Sequence, residues 1–540
     1  MAFLWSSPEP HGRKPEVRMK NIKKHLRKYV TFQPRQWLLS TRRIEVMVDE
    51  WLALPAGPRL YKVSGEPFAV LITPWLGTAV PWYSIVVGLL LAGRGSEVVF
   101  IFDDLPFGAH PYRSAFIRAC IRVVLRKVRA RYVILVLSDF KSAKTESDRQ
   151  DEAMIGRLAS LNAVHALRGE ILSDGRAEYI AHVREQLWVA DAAIQKLLSY
   201  QGCEAILIPG GIYGTTGLWL DRARRSGARV ASYDAGGFGT VLLAADGIAA
   251  QLQDVPRAFR WIKAEVSSPS EDAFVLECAR VELEKRRQGK DTFVSQKAAT
   301  SAGPLDTYRG AILLALNSSW DQAALGLHTV FGTNTNWILE TVQWVVNHTD
   351  ATIVVRQHPS ERLEFASTTD DYGRLLQSHF GDQKRVLFIA ADDAINTYEL
   401  LTVVSTVIAY TSTVGVEAAA LGKRVITPSS NYYSGLGFVW GAASRSEYFE
   451  LINRSLSGEL QLTSEMRNDA AYCYYVAQIC NWIFSPFSPE SYPLWSKESI
   501  TSLSANSTVR VLISALQENV PAALINHRNS IAAKTTLTDA

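Results

Sequence analysis

Short β-branched runs alternate with longer helical patterns along the chain, and this alternation restricts the folds that the chain can adopt. Strand-like runs such as "FAVLITP" (68–74) and "EVVFIFDD" (97–104) are each followed by a longer stretch of helical periodicity. Strands that alternate with helices are typical of parallel sheets covered by helices on both faces. The sequence therefore predicts an α/β fold.

The alternation occurs twice, and a polar stretch separates the two occurrences. Residues 287–308 lose hydrophobic periodicity and are rich in Ser, Thr, Gly and Lys, which is typical of a linker. Strand-like runs are predicted on both sides of this stretch. They are 68–74, 97–104, 131–140, 203–211 and 228–237 before it, and 310–319, 352–360, 385–391, 405–413 and 423–430 after it.

We therefore expect two Rossmann-like domains in tandem, followed by a tail of C-terminal helices. A length of 540 residues suffices for two or three domains. This organisation fits an enzyme with a cleft between its domains, and it also fits a two-domain binding protein. The predicted parts are a basic N-terminal extension (1–60), an N-terminal domain (61–290), a linker (291–308), a second domain (309–445) and C-terminal helices (446–540).

Composition excludes several classes of protein. With 57 Lys and Arg against 53 Asp and Glu, the net charge of +4 is too small to predict nucleic-acid binding. The five cysteines lack CxxC spacing and the ten histidines lack ligand spacing, so we expect no disulfide framework, no metal and no cofactor. No secretory signal is visible, and the apolar stretch 82–93 is shorter than the roughly 20 residues that span a bilayer. We expect a cytoplasmic protein in which 82–93 is a buried helix.

The segment 11–29 differs from the rest of the chain in its charge. It contains eight Lys or Arg and one Glu, and its apolar residues recur at three- and four-residue steps. A helix here would carry a narrow apolar stripe flanked by positive charge, which suits an anionic membrane surface. The segment predicts peripheral membrane binding; a solvated basic tail or a helix packed on the domain is the alternative.

Two strand ends of the second domain carry candidate ligand-binding side chains. Ligands of parallel sheets bind at the carboxyl ends of the strands. Arg356 and His358 lie at the end of 352–360, where Arg356 could contact a ligand or pair with Glu361. Ser412 and Thr413 follow 405–413 at the start of a helix, whose N–H groups suit a phosphate.

Two further residues of that helix are candidates. Gly415 would let a ligand approach the backbone, and Glu417 would lie one turn beyond Thr413, where it could accept hydrogen bonds from ribose hydroxyls. In the alternative interpretation, Ser412 and Thr413 only cap the helix and Glu417 completes a capping box.

The segment 409–438 resembles the capsule polysaccharide biosynthesis family, which includes the bacterial Kdo transferases of capsule assembly. The resemblance covers roughly 205–440 and is best in the C-terminal half, while the first 200 residues match only in their α/β rhythm. "NSSWDQAALG" (317–326), "NWILETVQWVV" (336–346) and "VVRQHPSE" also resemble the family. The matching residues of 409–438 are Ser412, Thr413, Gly415, Glu417, Ala418, Gly422, Lys423, Val425, Tyr433, Gly437 and Phe438.

The resemblance implies a metal-independent GT-B glycosyltransferase with a nucleotide-activated sugar held by the second domain. His358 would then hydrogen-bond the donor phosphate, and CMP-Kdo is the donor that the relatives imply. The acceptor would be a capsule or surface glycan or glycolipid, held by the first domain. An epimerase or glycerophosphotransferase on the same fold is one alternative, and a non-catalytic glycan-binding or export-associated protein is another.

A glycosyltransferase also needs a carboxylate near the anomeric carbon. Asp234 is the preferred candidate because the glycines that follow it would admit a sugar, and Asp103 and Asp104 are alternatives. An Asx-turn or loop cap is the other interpretation of each of these aspartates. The predicted acceptor-binding or sugar-binding residues are Gly210, Gly211, Thr215, Trp320, Asp321 and Tyr433, although Trp320 suits structural packing equally well.

Overall fold

The computed structural model describes residues 33–54, 66–75, 79–108, 111–141, 149–171, 175–236, 239–290, 305–318 and 325–538. The basic segment 11–29 and the candidate site residues Trp320 and Asp321 lie outside these ranges. Membrane binding by the basic segment therefore stays a prediction, as do the roles of Trp320 and Asp321.

The first sheet is built mainly from the N-terminal half of the chain. Its strands are β1 (Phe68–Ile72), β2 (Val98–Phe102), β3 (Val133–Val136), β4 (Ala205–Pro209), β5 (Arg229–Gly236), β6 (Thr240–Ala244) and β13 (Trp482–Phe484). They lie in the order β13-β6-β5-β4-β1-β2-β3. Strands β1 to β5 are parallel, whereas β6 runs in the opposite direction and pairs antiparallel with both β5 and β13.

The second sheet is parallel throughout. Its strands are β7 (Ile312–Ala315), β8 (Ile353–Arg356), β9 (Val386–Ile389), β10 (Thr406–Ala409), β11 (Arg424–Thr427) and β12 (Trp440–Gly441). They lie in the order β12-β11-β10-β7-β8-β9. The predicted tandem Rossmann-like fold is confirmed, and the ten predicted strands correspond to β1–β5 and β7–β11. Strands β6, β12 and β13 were not predicted.

Helices cover both sheets. Those of the N-terminal half are α1 (Pro34–Ala53), α2 (Val80–Gly93), α3 (Pro111–Val128), α4 (Arg149–Leu167), α5 (Arg176–Tyr200), α6 (Thr216–Arg225), α7 (Val255–Glu265) and α8 (Pro269–Arg287). After β7 come α9 (Asn334–His348), α10 (Tyr372–Phe380), α11 (Thr397–Val403), α12 (Val414–Ala420), α13 (Arg445–Leu456) and α14 (Ser464–Tyr475). The C-terminal helices are α15 (Tyr492–Trp495), α16 (Ile500–Ala505), α17 (Ser507–Glu518) and α18 (Ala522–Thr538).

Helix α2 is the apolar stretch that the sequence marks as a buried helix, and this prediction is confirmed. Its side chains from Val80 to Leu91 are buried. A Cβ at Gly88 would overlap the ring of Phe100, so this glycine lets α2 lie close to β2. Across the residues described, no helix combines the length and the apolarity that crossing a bilayer requires.

Segments from both halves of the chain pack against the sheet of the other half. Ile262 of α7 and Val275 of α8 belong to the core around the second sheet, together with Cys473 of α14. Trp495 and Leu512, from the C-terminal helices, belong instead to the core of the first sheet. Helices α15 to α17 therefore stabilise the first sheet, whereas Ala523 and Leu524 of α18 belong to the core of the second. The domain boundaries given above stay predictions.

A hydrogen-bonded contact joins the two halves of the molecule at the loop that follows α4. Asp370, which is 3% exposed, accepts hydrogen bonds from the backbone N–H groups of Glu170 (2.9 Å) and Ile171 (2.8 Å). The Glu170 carboxylate in turn accepts the N–H of Asn334 at 2.8 Å, at the start of α9, and lies 3.3 Å from His328 Nε2. We call this contact, made by Glu170, Asp370 and His328, the interdomain latch.

Asp370→Ala should weaken the interdomain latch and lower the free energy of unfolding by about 2 kcal/mol, because two backbone donors lose a charged acceptor. Urea denaturation followed by tryptophan fluorescence measures the change. The control is Asp371→Ala, which removes only the exposed cap that accepts Arg374 N–H at the start of α10 and should cost about 1 kcal/mol. Equal losses in the two variants would contradict a structural role for the latch.

Candidate functional site

A cleft lies between the two sheets, and its volume, including the solvent at its entrance, is about 1160 Å³. On the side of the second sheet it is lined by Asn317, His358 and Ser412, which follow β7, β8 and β10. These three strands are adjacent and parallel, so their carboxyl ends converge at one edge. On the side of the first sheet the cleft is lined by Leu242 and Trp482, among others.

His358 is held in one protonation and tautomeric state. The backbone N–H of Ser360 donates to Nδ1 at 3.3 Å, and the Ser360 hydroxyl lies 2.5 Å from the same nitrogen. Burial, together with the nearby positive charges of Arg286, Arg356 and Arg362, lowers the pKa of His358 to about 4. At neutral pH the ring is therefore uncharged, and its proton lies on Nε2 because Nδ1 accepts. Among the described residues none accepts a hydrogen bond from Nε2.

Arg356 is buried beneath the cleft and organises its floor. Its guanidinium donates to the carbonyl oxygens of Ala390 and Ile395, the latter at 3.2 Å. Burial lowers the pKa of Arg356 to about 10, so the group remains charged at neutral pH. The suggested pairing with Glu361 is not the contact that forms, since Gln357 donates to Glu361 Oε2 at 2.5 Å. Arg356 therefore supplies positive charge and fixes the loop after β9.

Glu417 lies at the floor of the cleft, and its carboxylate interacts with two other side chains of the protein. Arg286 Nε lies 2.8 Å from Oε1, and the Tyr398 hydroxyl donates to Oε2 at 2.8 Å. This arrangement is not a capping box, and the predicted ribose contact would have to share a carboxylate that already has two partners. Arg286 was not identified from the sequence, because it lies at the end of α8, far from any strand end.

Ser412 and Thr413 both line the cleft. Thr413 is the N-cap residue of α12, but its side chain makes no capping hydrogen bond. The Ser412 hydroxyl accepts Val414 N–H at the long distance of 3.4 Å. Capping therefore explains neither side chain well, although the Thr413 hydroxyl already interacts with that of Tyr432. Their role as ligand contacts stays a prediction.

Gly415 and Tyr433 pack against each other, and the ligand-binding roles suggested for them stay predictions. A Cβ at Gly415 would lie 2.5 Å from the Tyr433 hydroxyl oxygen, so a tyrosine ring fills the space that was expected to admit a ligand. Tyr433 is fully buried, and its hydroxyl donates to the Ser412 carbonyl at 3.0 Å. Both residues support the turn between β10 and α12 from beneath, and neither lines the cleft.

Gly210, Gly211 and Thr215 also have structural roles. Gly210 and Gly211 have φ angles of 70° and 99°, which non-glycine residues rarely adopt, and they turn the chain after β4. The Thr215 hydroxyl donates to Asp103, which also accepts Trp219 Nε1–H at 3.0 Å. A Cβ at Gly210 would lie 3.7 Å from Nε2 of Gln251, which lines the cleft, whereas Thr215 is held against Asp103. The acceptor-binding role of the two glycines and Thr215 stays a prediction.

The alternative catalytic carboxylates, Asp103 and Asp104, are buried and hydrogen-bonded within the first domain. Burial raises the pKa of Asp103, which is 2% exposed. Asp104 accepts hydrogen bonds from the Ser138 backbone and hydroxyl, both at 2.9 Å, and from Arg122 at 2.5 Å. Neither aspartate lines the cleft. Asp103 hydrogen-bonds with Thr215 after β4 and Asp104 with Ser138 after β3, so both connect the end of β2 to the end of another strand.

Asp234 is the carboxylate of the first domain that the sheet register places beside the cleft. It lies directly opposite Leu242 on the antiparallel strand β6, and opposite residues of such a pair project from the same face. Leu242 and Gln251 line the cleft, and the Gln251 side chain donates a hydrogen bond to Asp234 Oδ2. Asp234 Oδ1 accepts Ala235 N–H at 2.8 Å.

No group of three or more His, Cys, Asp or Glu side chains arranged to hold a metal ion occurs among the residues that the structure describes. Within the described part of the chain, the charges that line the cleft are those of Arg286, Arg356 and Glu417. The second-sheet wall thus combines a neutral histidine N–H donor with two guanidinium groups, a chemistry that suits a phosphate.

Residues 282–461 match the model of a protein family described as "Capsule polysaccharide biosynthesis protein". The match begins later than the resemblance seen in the sequence, and it includes the whole second sheet with His358 and Ser412. The resemblance to this family is therefore confirmed for this segment, which is a third of the chain. A search of curated proteins gives no match.

Several solved structures are similar to this chain at low identity. The KpsC β-Kdo 2,4 transferase of Thermosulfurimonas dismutans is 16% identical, with 50% of this chain and 79% of that chain covered and a TM-score of 0.34. The KpsC β-Kdo 2,7 transferase of the same organism is 15% identical, with 61% and 88% covered and a TM-score of 0.31. MurG of Acinetobacter baumannii is 10% identical, with 84% and 100% covered and a TM-score of 0.27. Because these scores are low, the fold is assigned from this chain's own sheets.

Gly415→Ala should lower the free energy of unfolding by about 1–3 kcal/mol, because the added methyl group overlaps Tyr433 in a closely packed region. Urea denaturation measures the loss. Gly441→Ala is the matched control, since a Cβ there meets no atom within 4 Å, and it should change stability by less than about 0.5 kcal/mol. A Gly415→Ala protein of unchanged stability would restore the original expectation that this position is open to a ligand.

The low pKa of His358 predicts how stability changes with pH. Below the unfolded-state pKa of about 6.5 the unfolded chain takes up a proton that the folded ring does not, so this histidine's contribution is lost as pH falls from about 6.5 towards 4. The stability difference between the wild type and His358→Asn should therefore shift by about 1–2 kcal/mol in favour of the variant between pH 7 and pH 5. Urea titrations at both pH values test this, and a constant difference would show that the folded pKa is ordinary.

Proposed function

We propose that this chain, of which residues 282–461 match the capsule polysaccharide biosynthesis family, is a glycosyltransferase that uses a nucleotide-activated sugar. The observation that carries the proposal is the neutral His358, which lines the cleft where three parallel strand ends converge and whose Nε2–H is accepted by no residue that the structure describes. A fixed hydrogen-bond donor in such a place suits the phosphate of a nucleotide.

The second-sheet wall would hold the nucleotide part of the donor. His358 Nε2–H would donate to a phosphate oxygen, and the hydroxyls of Ser412 and Thr413 would add further contacts. The buried guanidinium of Arg356 and the nearby Arg286 make the potential at this wall more positive. Because negative charge develops on the phosphate as the glycosidic bond breaks, donors fixed in advance stabilise the transition state more than the ground state.

The first-sheet wall would hold the acceptor and its base. In the proposed reaction Asp234 takes the proton of an acceptor hydroxyl, and the oxygen's electron pair forms the new bond to the anomeric carbon. The bond from that carbon to the phosphate oxygen breaks, and the nucleotide leaves with that electron pair. The Gln251 hydrogen bond orients the Asp234 carboxylate towards this task.

We further propose CMP-Kdo as the donor and a capsule glycan or glycolipid as the acceptor. The support is the likeness of 409–438, and of the residues around His358, to the Kdo transferases within the family. Side chains at the cleft would meet the phosphate charge without a metal ion. Peripheral attachment to a membrane through residues 11–29 would bring the cleft near a lipid-linked acceptor.

The test is nucleotide release from a panel of CMP-, UDP-, GDP- and CDP-sugars, including CMP-Kdo, in the presence of capsule glycolipid extract. We expect release of CMP from CMP-Kdo that depends on acceptor. His358→Ala should lower kcat/KM by a factor on the order of 100 or more, equivalent to about 3 kcal/mol of transition-state stabilisation. Asp234→Asn should abolish transfer while CMP still binds.

Two results would contradict the proposal. One is the absence of nucleotide release from every donor by a folded protein, and the other is full turnover by His358→Ala. His379→Ala is the control, because this histidine is exposed on α10 of the same domain and should leave turnover unchanged. Nucleotide release that leaves a rearranged free sugar, without transfer, would favour an epimerase instead.

A further inference from the structure

We propose that Trp482, on the C-terminal strand β13, is the surface on which the acceptor's sugar ring stacks. The inference rests on the proposed function, because it assigns the acceptor to the first-sheet wall of the cleft. It adds a substrate contact from a segment outside residues 282–461, at a position that no sequence motif marks as a site.

The sheet register places Trp482 in line with Asp234. Strand β13 pairs with β6 so that Trp482 lies opposite Leu242, and Leu242 lies opposite Asp234 on β5. Opposite residues of antiparallel neighbours project from the same face, so the three side chains form one row. With strands about 4.8 Å apart, this row is about 10 Å long, which is enough to hold a sugar ring between its ends.

The ring of Trp482 lies against Gly236 and borders the cleft. Trp482 is half-buried and lines the cleft, as Leu242 does. On the protein side the ring lies against Gly236, where a Cβ would overlap it. The absence of a side chain at Gly236 thus lets the indole approach β5 closely.

The chemistry of the row matches a sugar. A pyranose ring has an apolar face of C–H groups and an edge of hydroxyls, so it binds where an aromatic ring lies beside planar polar side chains. Trp482 offers the aromatic face, and the hydrogen-bonded pair of Gln251 and Asp234 offers the polar edge at the other end of the row. A sugar stacked on Trp482 would present a hydroxyl to Asp234.

A nucleotide base is the competing occupant of an indole face. The phosphate donors of the cleft lie on the opposite wall, at His358 and Ser412, and the polar partner of the row is a carboxylate. A sugar hydroxyl can donate a hydrogen bond to that carboxylate. The row therefore fits the acceptor sugar better than the donor.

The experiment compares Trp482→Leu and Trp482→Phe with Phe484→Leu. Phe484 is the matched control, because it lies two residues along β13 on the same face, is 45% exposed and does not line the cleft. The probes are CMP, for the donor wall, and an octyl glycoside of Kdo, for the acceptor wall. Calorimetry gives the Kd of CMP, and transfer kinetics with CMP-Kdo give the KM of the glycoside.

Trp482→Leu should raise the KM of the glycoside about tenfold and leave the Kd of CMP within twofold of the wild type. Trp482→Phe should raise that KM no more than about threefold, and Phe484→Leu should change neither value. An unchanged glycoside KM in Trp482→Leu would overturn the proposal. A parallel rise in the Kd of CMP would overturn it too, by showing that the indole stacks on the base.

If the wild type transfers no sugar, the proposed function fails while the stacking can still be tested. Saturation-transfer NMR then measures magnetisation passed from the protein to the glycoside. Signals lost in Trp482→Leu and kept in Phe484→Leu would support a sugar-binding row without catalysis. Equal signals in all variants, or none in the wild type, would overturn the stacking proposal.

Discussion

The ion pair between Arg286 and Glu417 is the contact on which the proposed donor wall depends. Both side chains are largely buried, and a buried charge is stable only when it is paired and hydrogen-bonded. The pair joins the end of α8 to the start of α12, and Tyr398 of α11 adds a hydrogen bond. Three helices thereby meet below the cleft. Burial is the main cause of the low pKa of His358, and the positive charge of Arg286 lowers that pKa further, which keeps the ring neutral.

Several elements hold the two walls of the cleft in place. Helices α7 and α8 precede the predicted linker yet pack in the core of the second sheet, while helices α15 to α17 return to the first sheet. On another side, the interdomain latch fixes the loop after α4 to the second sheet. Strand β13 belongs to the returning segment, so the polypeptide that stabilises the first sheet also supplies Trp482 to the cleft.

The sequence predicts the sheets well because strands buried on both faces are apolar runs, and β1, β2, β4, β7, β8 and β10 are buried throughout. It misses β6, β12 and β13, because they are short or lie beside turns and aromatic residues. It identifies His358 from a strand end and a family motif, but the same motif includes Gly415 and Tyr433, which pack against each other. A motif does not distinguish a residue that binds ligand from one that supports it. Arg286 and Trp482 were missed because tertiary contacts alone bring them to the cleft.

The most direct test of the account is a crystal structure of the protein with bound CMP. The account predicts a phosphate oxygen within about 3 Å of His358 Nε2, beside Ser412 and Thr413, with the Arg286–Glu417 pair intact beneath it. It also predicts that Trp482 remains free of the cytosine ring. A nucleotide bound elsewhere, such as at the Gly210–Gly211 turn, or a phosphate that leaves His358 without contact, would contradict the central claim.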